Sequence, residues 1–241
     1  AFCKKHNFNY LCFERGLYRD QTLTIDRMGL KQNSEYYKNY NSPRFLNYEK
    51  PEYFAAKKHV KLKFAIFFFI KNIESIFLPT QNLPFKGKRP LDYIKLLGKQ
   101  LKNNPTIFKK LSENYWFIPL QLEDDTNIKL NSPFNYNQEI IDYIESNFYQ
   151  SRSANFSKLV FKKHPLDTKQ YTFKKNTITV NTDSNELVNY ALGVVTVNST
   201  VGFEAILRNK QLFTLGNSIY ANTNLTHKIP THNLLDFFNL K

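Results

Sequence analysis

Three short apolar segments in the second half of the sequence each end in a polar residue that is able to react or to bind a ligand. These residues are Asp125, His164 and Ser199. A carboxylate can serve as acid, base or nucleophile, while imidazole and hydroxyl groups donate hydrogen bonds to anions. The three segments therefore indicate a reactive carboxylate together with anion-binding groups.

The clearest anion-binding pattern lies at residues 194–207. An apolar strand, VVTV, is followed by Asn198, Ser199 and Thr200, and then by Gly202 and an apolar helix. Ser199 or Thr200 is expected to cap this helix, whose first N–H groups and positive dipole end attract an anion. The structural alternative is capping alone, because serine and threonine are favoured caps in any helix.

His164 and Pro165 directly follow a predicted strand that carries Lys162 and Lys163. The proline disfavours helix at the histidine and fixes the direction of the chain. We therefore expect the imidazole of His164 and a lysine ammonium group to face one ligand-binding crevice at the end of this strand. A solvated or core histidine is the alternative interpretation.

Glu123, Asp124 and Asp125 form an acidic cluster that looks like a metal-binding DxD motif. Three adjacent carboxylates repel one another and usually form a solvated loop, but these end the apolar segment PLQL, which directs a carboxylate into the crevice. The sequence has no second acidic or histidine cluster at metal-ligand spacing. We therefore expect a site without a metal ion.

Glu14 is a second candidate carboxylate, at the end of an apolar segment near the start of the sequence. Its neighbours Arg15 and Arg19 are cationic. A surface ion pair, which contributes little to stability, is the alternative interpretation.

Strands and helices that alternate regularly along the sequence are expected to position these residues. The predicted strands are residues 116–122, 158–163, 177–180, 193–197 and 211–215, and the predicted helices are residues 137–149, 185–191 and 201–208. This alternation predicts βαβ units and a parallel sheet. Ligands of such sheets bind beyond the carboxyl ends of the strands, which is where Asp125, His164 and Ser199 fall.

The first part of the sequence has a different character. It contains a predicted strand at residues 8–13, a polar loop at 32–53 and lysine-rich helical patterns at 55–77 and 91–111. Because the sequence begins at Ala1 and not at a methionine, we expect that its natural start is missing. Cys3 and Cys12 form no CxxC pair, which indicates neither a disulfide framework nor a zinc site and fits a reducing cytoplasm.

The composition allows a substantial core, with 241 residues of which 41% are hydrophobic, and this excludes general disorder. The net charge of +14 raises nucleic acid, an anionic membrane or a polyanionic substrate as partners. Abundant Lys, Asn, Ile, Phe and Tyr also follow from AT-rich coding, so charge alone does not select a partner. The apolar run at residues 64–70 is far shorter than the ~20 residues of a membrane span.

Five segments, taken in order, resemble the capsule polysaccharide biosynthesis proteins that act as retaining β-Kdo transferases. They are FERGLYR at 13–19, IPLQLEDDTNI at 118–128, FKKHPLD at 161–167, TVNSTVGFEAIL at 196–207, and Leu215-Gly216 through Tyr220 with Leu225-Thr226. They are similar to the family's F-E-x-G-x-x-R, V-P-L-Q-x-x-x-D-S-Q, K-x-H-P-L-D, V-N-S-T-V-G-x-x-A-L and L-G-x-A-x-Y-x-x-x-x-L-T elements. The sequence departs at Thr126-Asn127, where the family has Ser-Gln, and at Leu17-Tyr18, where Tyr-Leu-Arg-Pro is usual.

The resemblance implies an α/β, GT-B-like fold with two Rossmann-like halves. Residues 1–114 would form a truncated acceptor-side half with helices, and residues 115–241 the half that binds the CMP-sugar. The implied reaction moves Kdo (3-deoxy-D-manno-oct-2-ulosonic acid) from CMP-Kdo to a lipid-linked capsular polysaccharide primer, with no cofactor and no metal. The implied location is the cytoplasm, with peripheral contact at the inner membrane and with the capsule assembly complex, and with no nucleic-acid partner.

The resemblance also implies roles for individual residues. Asp125 matches the family's catalytic aspartate, Glu14 its acidic partner, and His164 is expected to act with them. The residues expected to contact the nucleotide sugar are Lys162, His164, Pro165, Asn198, Ser199, Thr200, Glu204, Gln121 and Arg19. Retention of configuration would follow from attack by a carboxylate on the anomeric carbon, with the two carboxyl groups ~5 Å apart as in retaining glycosidases.

Three other functions remain open from the sequence. A CMP-sialic acid-dependent sialyltransferase is the nearest, because such enzymes also use His-Pro and Ser/Thr elements to hold CMP. A nucleic-acid-binding protein rests on charge and aromatic content alone. A non-catalytic scaffold of the capsule assembly complex is the third.

Overall fold

The computed structural model describes residues 2–17, 23–29, 33–39, 114–174, 177–221 and 224–240, all of which belong to one compact unit. The predicted helices at 55–77 and 91–111 lie outside these residues. Helix α1 (Phe2–Lys5), strands β1 (Cys12–Arg15) and β2 (Leu23–Asp26), and helix α2 (Glu35–Asn39) form the first part. β1 and β2 are antiparallel, with Glu14 opposite Thr24. β1 begins four residues after the start of the predicted strand at 8–13.

A six-stranded parallel sheet forms the second part. Its strands are β3 (Tyr115–Pro119), β4 (Lys158–Lys162), β5 (Ile178–Val180), β6 (Gly193–Thr196), β7 (Gln211–Thr214) and β8 (His227–Lys228). Their order across the sheet is β5-β4-β3-β6-β7-β8, and all neighbouring pairs are parallel. The α/β class with a parallel sheet is therefore confirmed. β1 and β2 form a separate sheet. The domain boundary between residues 114 and 115 stays a prediction.

Helices lie between these strands and after the last of them. They are α3 (Thr126–Asn131), α4 (Asn137–Gln150), a 3-10 turn (Arg152–Asn155), α5 (Ser184–Tyr190), α6 (Thr200–Leu207) and α7 (Leu234–Phe238). Polar residues cap three of them: side-chain oxygens of Asp183, Ser199 and Asn233 accept backbone N–H bonds at the starts of α5, α6 and α7. Among the described residues, no helix is long and apolar enough to cross a membrane.

The strand order reverses at β3, and this reversal creates the functional edge of the sheet. From β3 the chain moves outward through β4 to β5, then returns to the other side of β3 as β6. The loops after β3 and β6 therefore leave the same edge in opposite directions. In open α/β sheets this switch point, at the carboxyl ends of the strands, is where ligands bind.

β3 is buried on both faces of the sheet, as a central parallel strand requires. Trp116 and Ile118 join one apolar cluster, and Tyr115 and Phe117 join the other. The indole of Trp116 packs against Phe237 and Phe238 of α7, with ring centroids 5.1 Å apart in each pair.

The pH dependence of stability should carry a contribution from His227, on β8. Burial, and secondly the neighbouring His232, lower the pKa of His227. Folded His227 therefore binds fewer protons than unfolded His227, so its contribution to stability is present above an unfolded pKa of about 6.5 and is lost as the pH falls through the folded value. We expect urea midpoints to fall less on acidification in His227→Gln than in the wild type. Equal pH profiles for His227→Gln and the wild type would contradict the prediction.

Candidate functional site

Two amide side chains meet across the switch point. Gln121 lies two residues after β3, and Asn198 lies two residues after β6. Gln121 Nε2 donates to Asn198 Oδ1 at 3.0 Å, and Asn198 N donates to Gln121 Oε1 at 3.3 Å. This reciprocal pair joins the loops after β3 and β6. The structure thus brings two residues of the predicted site into direct contact.

The start of α6 lies directly beyond this pair. Ser199 is the N-cap, and its Oγ accepts a hydrogen bond from Val201 N at 3.2 Å. A serine oxygen that accepts a cap bond still carries a proton that it can donate to a ligand. Thr200 opens the helix at the positive end of its dipole, where an anion is favoured. Capping and anion binding are therefore compatible roles for Ser199.

Buried Tyr220 supports this helix start from within the protein. Its hydroxyl donates to Ser199 O. Burial raises the pKa of Tyr220, so the hydroxyl keeps the proton that it donates. A Cβ atom at Gly202 would lie 2.5 Å from the Tyr220 hydroxyl oxygen and 2.8 Å from its Cζ. Glycine at position 202 therefore lets the tyrosine reach the helix start.

The Gly202→Ala variant should lower stability, although alanine is ordinarily the better helix residue. The added methyl group meets the buried Tyr220 ring, and such overpacking costs about 1 to 3 kcal/mol. Without that contact, the same change in a helix would raise stability by about 1 kcal/mol. Urea unfolding measures the difference. A raised midpoint would show that the contact with Tyr220 does not constrain this position.

The predicted cations are Lys162, the last residue of β4, and His164, in the loop that follows it. Lys162 Nζ donates to Ser184 Oγ at 2.8 Å, so its ammonium group lies at the start of α5. His164 is half-buried, and its Nδ1 accepts a hydrogen bond from Leu166 N at 3.2 Å. The neutral imidazole therefore carries its proton on Nε2, which is the nitrogen able to donate to an anion. Pro165, also predicted to contact the nucleotide, is exposed beside it.

The acidic cluster after β3 separates into three different environments. Glu123 is buried and accepts a hydrogen bond from Asn137 N at 2.8 Å, at the first residue of α4. The side chain of Asp124 is 94% exposed and lies 3.4 Å from Lys129 Nζ. Asp125 is half-buried and directly precedes α3. The three carboxylates therefore lie in different environments, and Asp125 is intermediate in exposure between Glu123 and Asp124.

The chain reaches Asp125 through a turn, and not along a strand as predicted. β3 ends at Pro119, and Asp125 N donates to Leu122 O at 3.0 Å. The predicted strand at 116–122 is therefore too long at its carboxyl end. Asp124 and Asp125 therefore lie at a turn, where Asp124 is exposed and Asp125 is half-buried.

A hydrogen-bonded network links Tyr171, Asp167 and Asn137 next to these loops, and the sequence pattern does not predict it. Tyr171 donates to Asp167 Oδ2 at 2.8 Å, and Asn137 Nδ2 donates to the Tyr171 hydroxyl at 3.1 Å. Burial raises the pKa of Tyr171, as do the carboxylates of Asp167 and Glu123, while the bond from Asn137 acts in the opposite direction. Asp167, the last residue of the segment FKKHPLD, is the one local signal of this network.

The remaining predicted site residues lie elsewhere or outside the described residues. Glu14 is on β1, and Leu17, which follows β1, packs against the apolar cluster that contains Tyr115 and Phe117. Glu204, within α6, forms an ion pair with Arg208, four residues further along the helix. Arg19 lies outside the described residues. The roles of all these residues stay predictions.

Side chains that bind metal ions are dispersed in the described segments. Within them, no three His, Cys, Asp or Glu side chains lie close enough together to hold a metal ion. The expectation of a metal-free site stays a prediction.

Comparisons with known proteins agree with this architecture. Residues 76–235 match the sequence model of a family described as capsule polysaccharide biosynthesis protein. Capsule polysaccharide export protein KpsS of Escherichia coli is 32% identical over 149 residues, which cover 55% of this chain and 38% of KpsS. Protein FixF of Sinorhizobium fredii (strain NBRC 101917 / NGR234) is 33% identical over 119 residues, which cover 46% of this chain and 28% of FixF. The chain thus spans well under half the length of either curated relative.

A solved structure shares the fold. The β-Kdo 2,4-transferase of Thermosulfurimonas dismutans KpsC aligns with a TM-score of 0.51 and 16% sequence identity, over 98% of this chain and 72% of that chain. At this identity the likeness concerns the fold alone.

Proposed function

Since the chain belongs to the capsule polysaccharide biosynthesis protein family, we propose that it is a glycosyltransferase of capsule assembly that uses CMP-Kdo as its donor. The acceptor in this proposal is a lipid-linked capsular polysaccharide primer. The fold shared with a β-Kdo transferase supports the proposal. The reaction would take place in the cytoplasm, with peripheral contact at the inner membrane and with the capsule assembly complex.

The observation that carries the proposal is the set of groups at the switch point. Three groups lie at one edge of the sheet. They are the paired amides of Gln121 and Asn198, which follow β3 and β6, the start of α6 at Ser199, and the loop with His164, which follows β4. Helix dipole, hydroxyl and imidazole all favour an anionic ligand. A nucleoside monophosphate is such a ligand, and it is also the leaving group of a CMP-sugar.

In the proposed mechanism, Asp125 attacks the anomeric carbon of Kdo. A bond forms between a carboxylate oxygen of Asp125 and this carbon, and the bond from the carbon to the phosphate oxygen breaks, so that CMP leaves with the electron pair. The start of α6 and His164 stabilise the charge that develops on the phosphate. The acceptor hydroxyl then attacks the same carbon, releases Asp125 and loses its proton to a base. Two inversions give retention, and Glu14 is the proposed acidic partner.

The proposal assigns this stabilisation to protein groups and includes no metal ion and no cofactor. The remaining predicted donor contacts, through Lys162, Pro165, Thr200, Glu204 and Arg19, are part of the same proposal. Each is testable by an alanine substitution in the assay below.

Donor hydrolysis and transfer assays with CMP-Kdo and CMP-sialic acid test the function directly. We expect release of CMP from CMP-Kdo and, with a glycolipid acceptor, transfer of Kdo. Preference for CMP-sialic acid would instead identify a sialyltransferase. Release of CMP from neither donor would contradict the proposed activity, and an Asp125→Asn sample prepared in parallel controls for contaminating hydrolases.

A further inference from the structure

The hydroxyl group of Tyr171 joins the loops that form the proposed site. It donates to Asp167 Oδ2 at 2.8 Å and accepts from Asn137 Nδ2 at 3.1 Å. Asn137 Nδ2 also donates to Gln121 O at 2.8 Å. Asn137 is 1% exposed and Asp167 is 7% exposed, so water competes little for these bonds. One hydroxyl thus connects the loop after β4 with the start of α4 and the loop after β3.

Asp167 also makes hydrogen bonds that link it to His164. Asp167 N donates to His164 O at 2.8 Å, and Asp167 Oδ1 accepts from Lys169 N at 2.9 Å. These bonds close a tight turn, within which Leu166 N donates to His164 Nδ1 at 3.2 Å. The turn therefore fixes both the direction of the imidazole and the nitrogen that carries its proton.

On the far side, the network reaches Asn198. Gln121, whose carbonyl accepts from Asn137, holds Asn198 through its side-chain amide. Glu123, two residues further along the same loop, accepts from Asn137 N at 2.8 Å and pairs with Lys169. The loops after β3, β4 and β6 are therefore connected through Asn137 and Tyr171.

We propose that Tyr171 is a positioning residue that sets the orientation and tautomer of His164 against the loops with Gln121 and Asn198. This inference rests on the proposed function for its effect on CMP, because His164 is the group that would contact the phosphate. Tyr171 does not contact the ligand in this scheme. It acts through Asp167, whose side chain and backbone N–H join Tyr171 to His164.

The first test is calorimetric titration of CMP into the Tyr171→Phe variant, which keeps the ring and removes only the hydroxyl. The loss of two hydrogen bonds should weaken CMP binding about 5- to 20-fold. In a His164→Ala background the same change should alter affinity by less than about twofold, because a positioning residue has no effect once its target is absent. Additive losses would contradict a role through His164.

Tyr149→Phe is the matched control. Tyr149 lies on α4, and its hydroxyl makes a hydrogen bond with Thr177 Oγ1 at 3.1 Å. Removing this hydroxyl should lower thermal stability to a similar extent and leave CMP affinity unchanged. A second variant, Asp167→Asn, keeps an oxygen acceptor for the Tyr171 hydroxyl and should retain more affinity than Asp167→Ala.

The second test does not depend on CMP. Long-range proton–nitrogen correlation spectra should show the Nε2-protonated tautomer for neutral His164 in the wild type and a mixture of tautomers in Tyr171→Phe, with the signals assigned by comparison with His164→Ala. If the tautomer changes but the wild type does not bind CMP, the proposed function is wrong and the positioning of His164 stands. If the tautomer is unchanged, the inference is overturned.

Discussion

The Asp125→Asn variant is expected to fold and to bind CMP, but to lose transfer activity by roughly a thousandfold or more. An amide cannot serve as the anionic nucleophile, whereas it fills almost the same volume as the carboxylate. Asp125 is half-buried directly before α3. Initial rates with CMP-Kdo and an acceptor measure the loss, and thermal melts show whether the variant is folded.

Asp124→Asn is the matched control, since it makes the same chemical change at the adjacent position. The Asp124 side chain is 94% exposed, so we expect this variant to keep most of the wild-type activity. If Asp125→Asn stays active while Asp124→Asn or Glu14→Gln is inactive, Asp125 is not the nucleophile. That result would change the assignment of the residue and leave the family membership untouched.

Substitution of Ser199 or His164 should produce the second large effect, a loss of CMP affinity. Each residue is proposed to donate one charge-assisted hydrogen bond to the phosphate, and such a bond contributes about 1.5 to 3 kcal/mol, or roughly 10- to 150-fold in Kd. Ser199→Ala and His164→Ala should therefore both weaken binding in calorimetric titrations. Unchanged CMP affinity in both variants would show that the phosphate does not bind at this edge of the sheet.

The loss of a helix cap needs its own control, because Ser199→Ala also removes the cap of α6. Asn233 caps α7, where its Oδ1 accepts from Leu235 N at 2.9 Å. Asn233→Ala should cost about 1 kcal/mol of stability, as a lost cap generally does. It should leave CMP affinity unchanged. Equal losses of affinity in Ser199→Ala and Asn233→Ala would mean that destabilisation, and not a lost contact, weakens binding.

The parallel sheet was predictable from the sequence because its strands are short, apolar and separated by helical patterns. The observed strands at Lys158–Lys162, Gly193–Thr196 and Gln211–Thr214 each lie within one residue of the predicted bounds. A strand that is buried on both faces of a parallel sheet is a nearly continuous apolar run, and such a run is recognisable in the sequence. The helix at Asn137–Gln150 was equally predictable, since its buried isoleucines recur at helical spacing.

The acidic cluster shows where prediction from sequence stops. Nothing in three consecutive carboxylates reveals that Glu123 faces inward, because its partners are Asn137, fourteen residues later, and Lys169, forty-six residues later. The same holds for Tyr171 and Asn137, which are thirty-four residues apart. Single-sequence patterns report local periodicity, and these contacts depend on which loops the finished sheet brings together. Glu14 lies on β1 (Cys12–Arg15), whereas the predicted strand spans residues 8–13.

The position of Trp116 has a consequence for the order in which the protein is made. Trp116 lies on the first strand of the parallel sheet to be synthesised, yet the aromatic rings that cover it belong to α7, close to residue 240. Ribosomes add about 5 to 20 residues per second, so the indole and its strand emerge roughly 10 seconds before their cover does. During that interval Trp116 lacks the rings of Phe237 and Phe238 that pack against it in the folded protein.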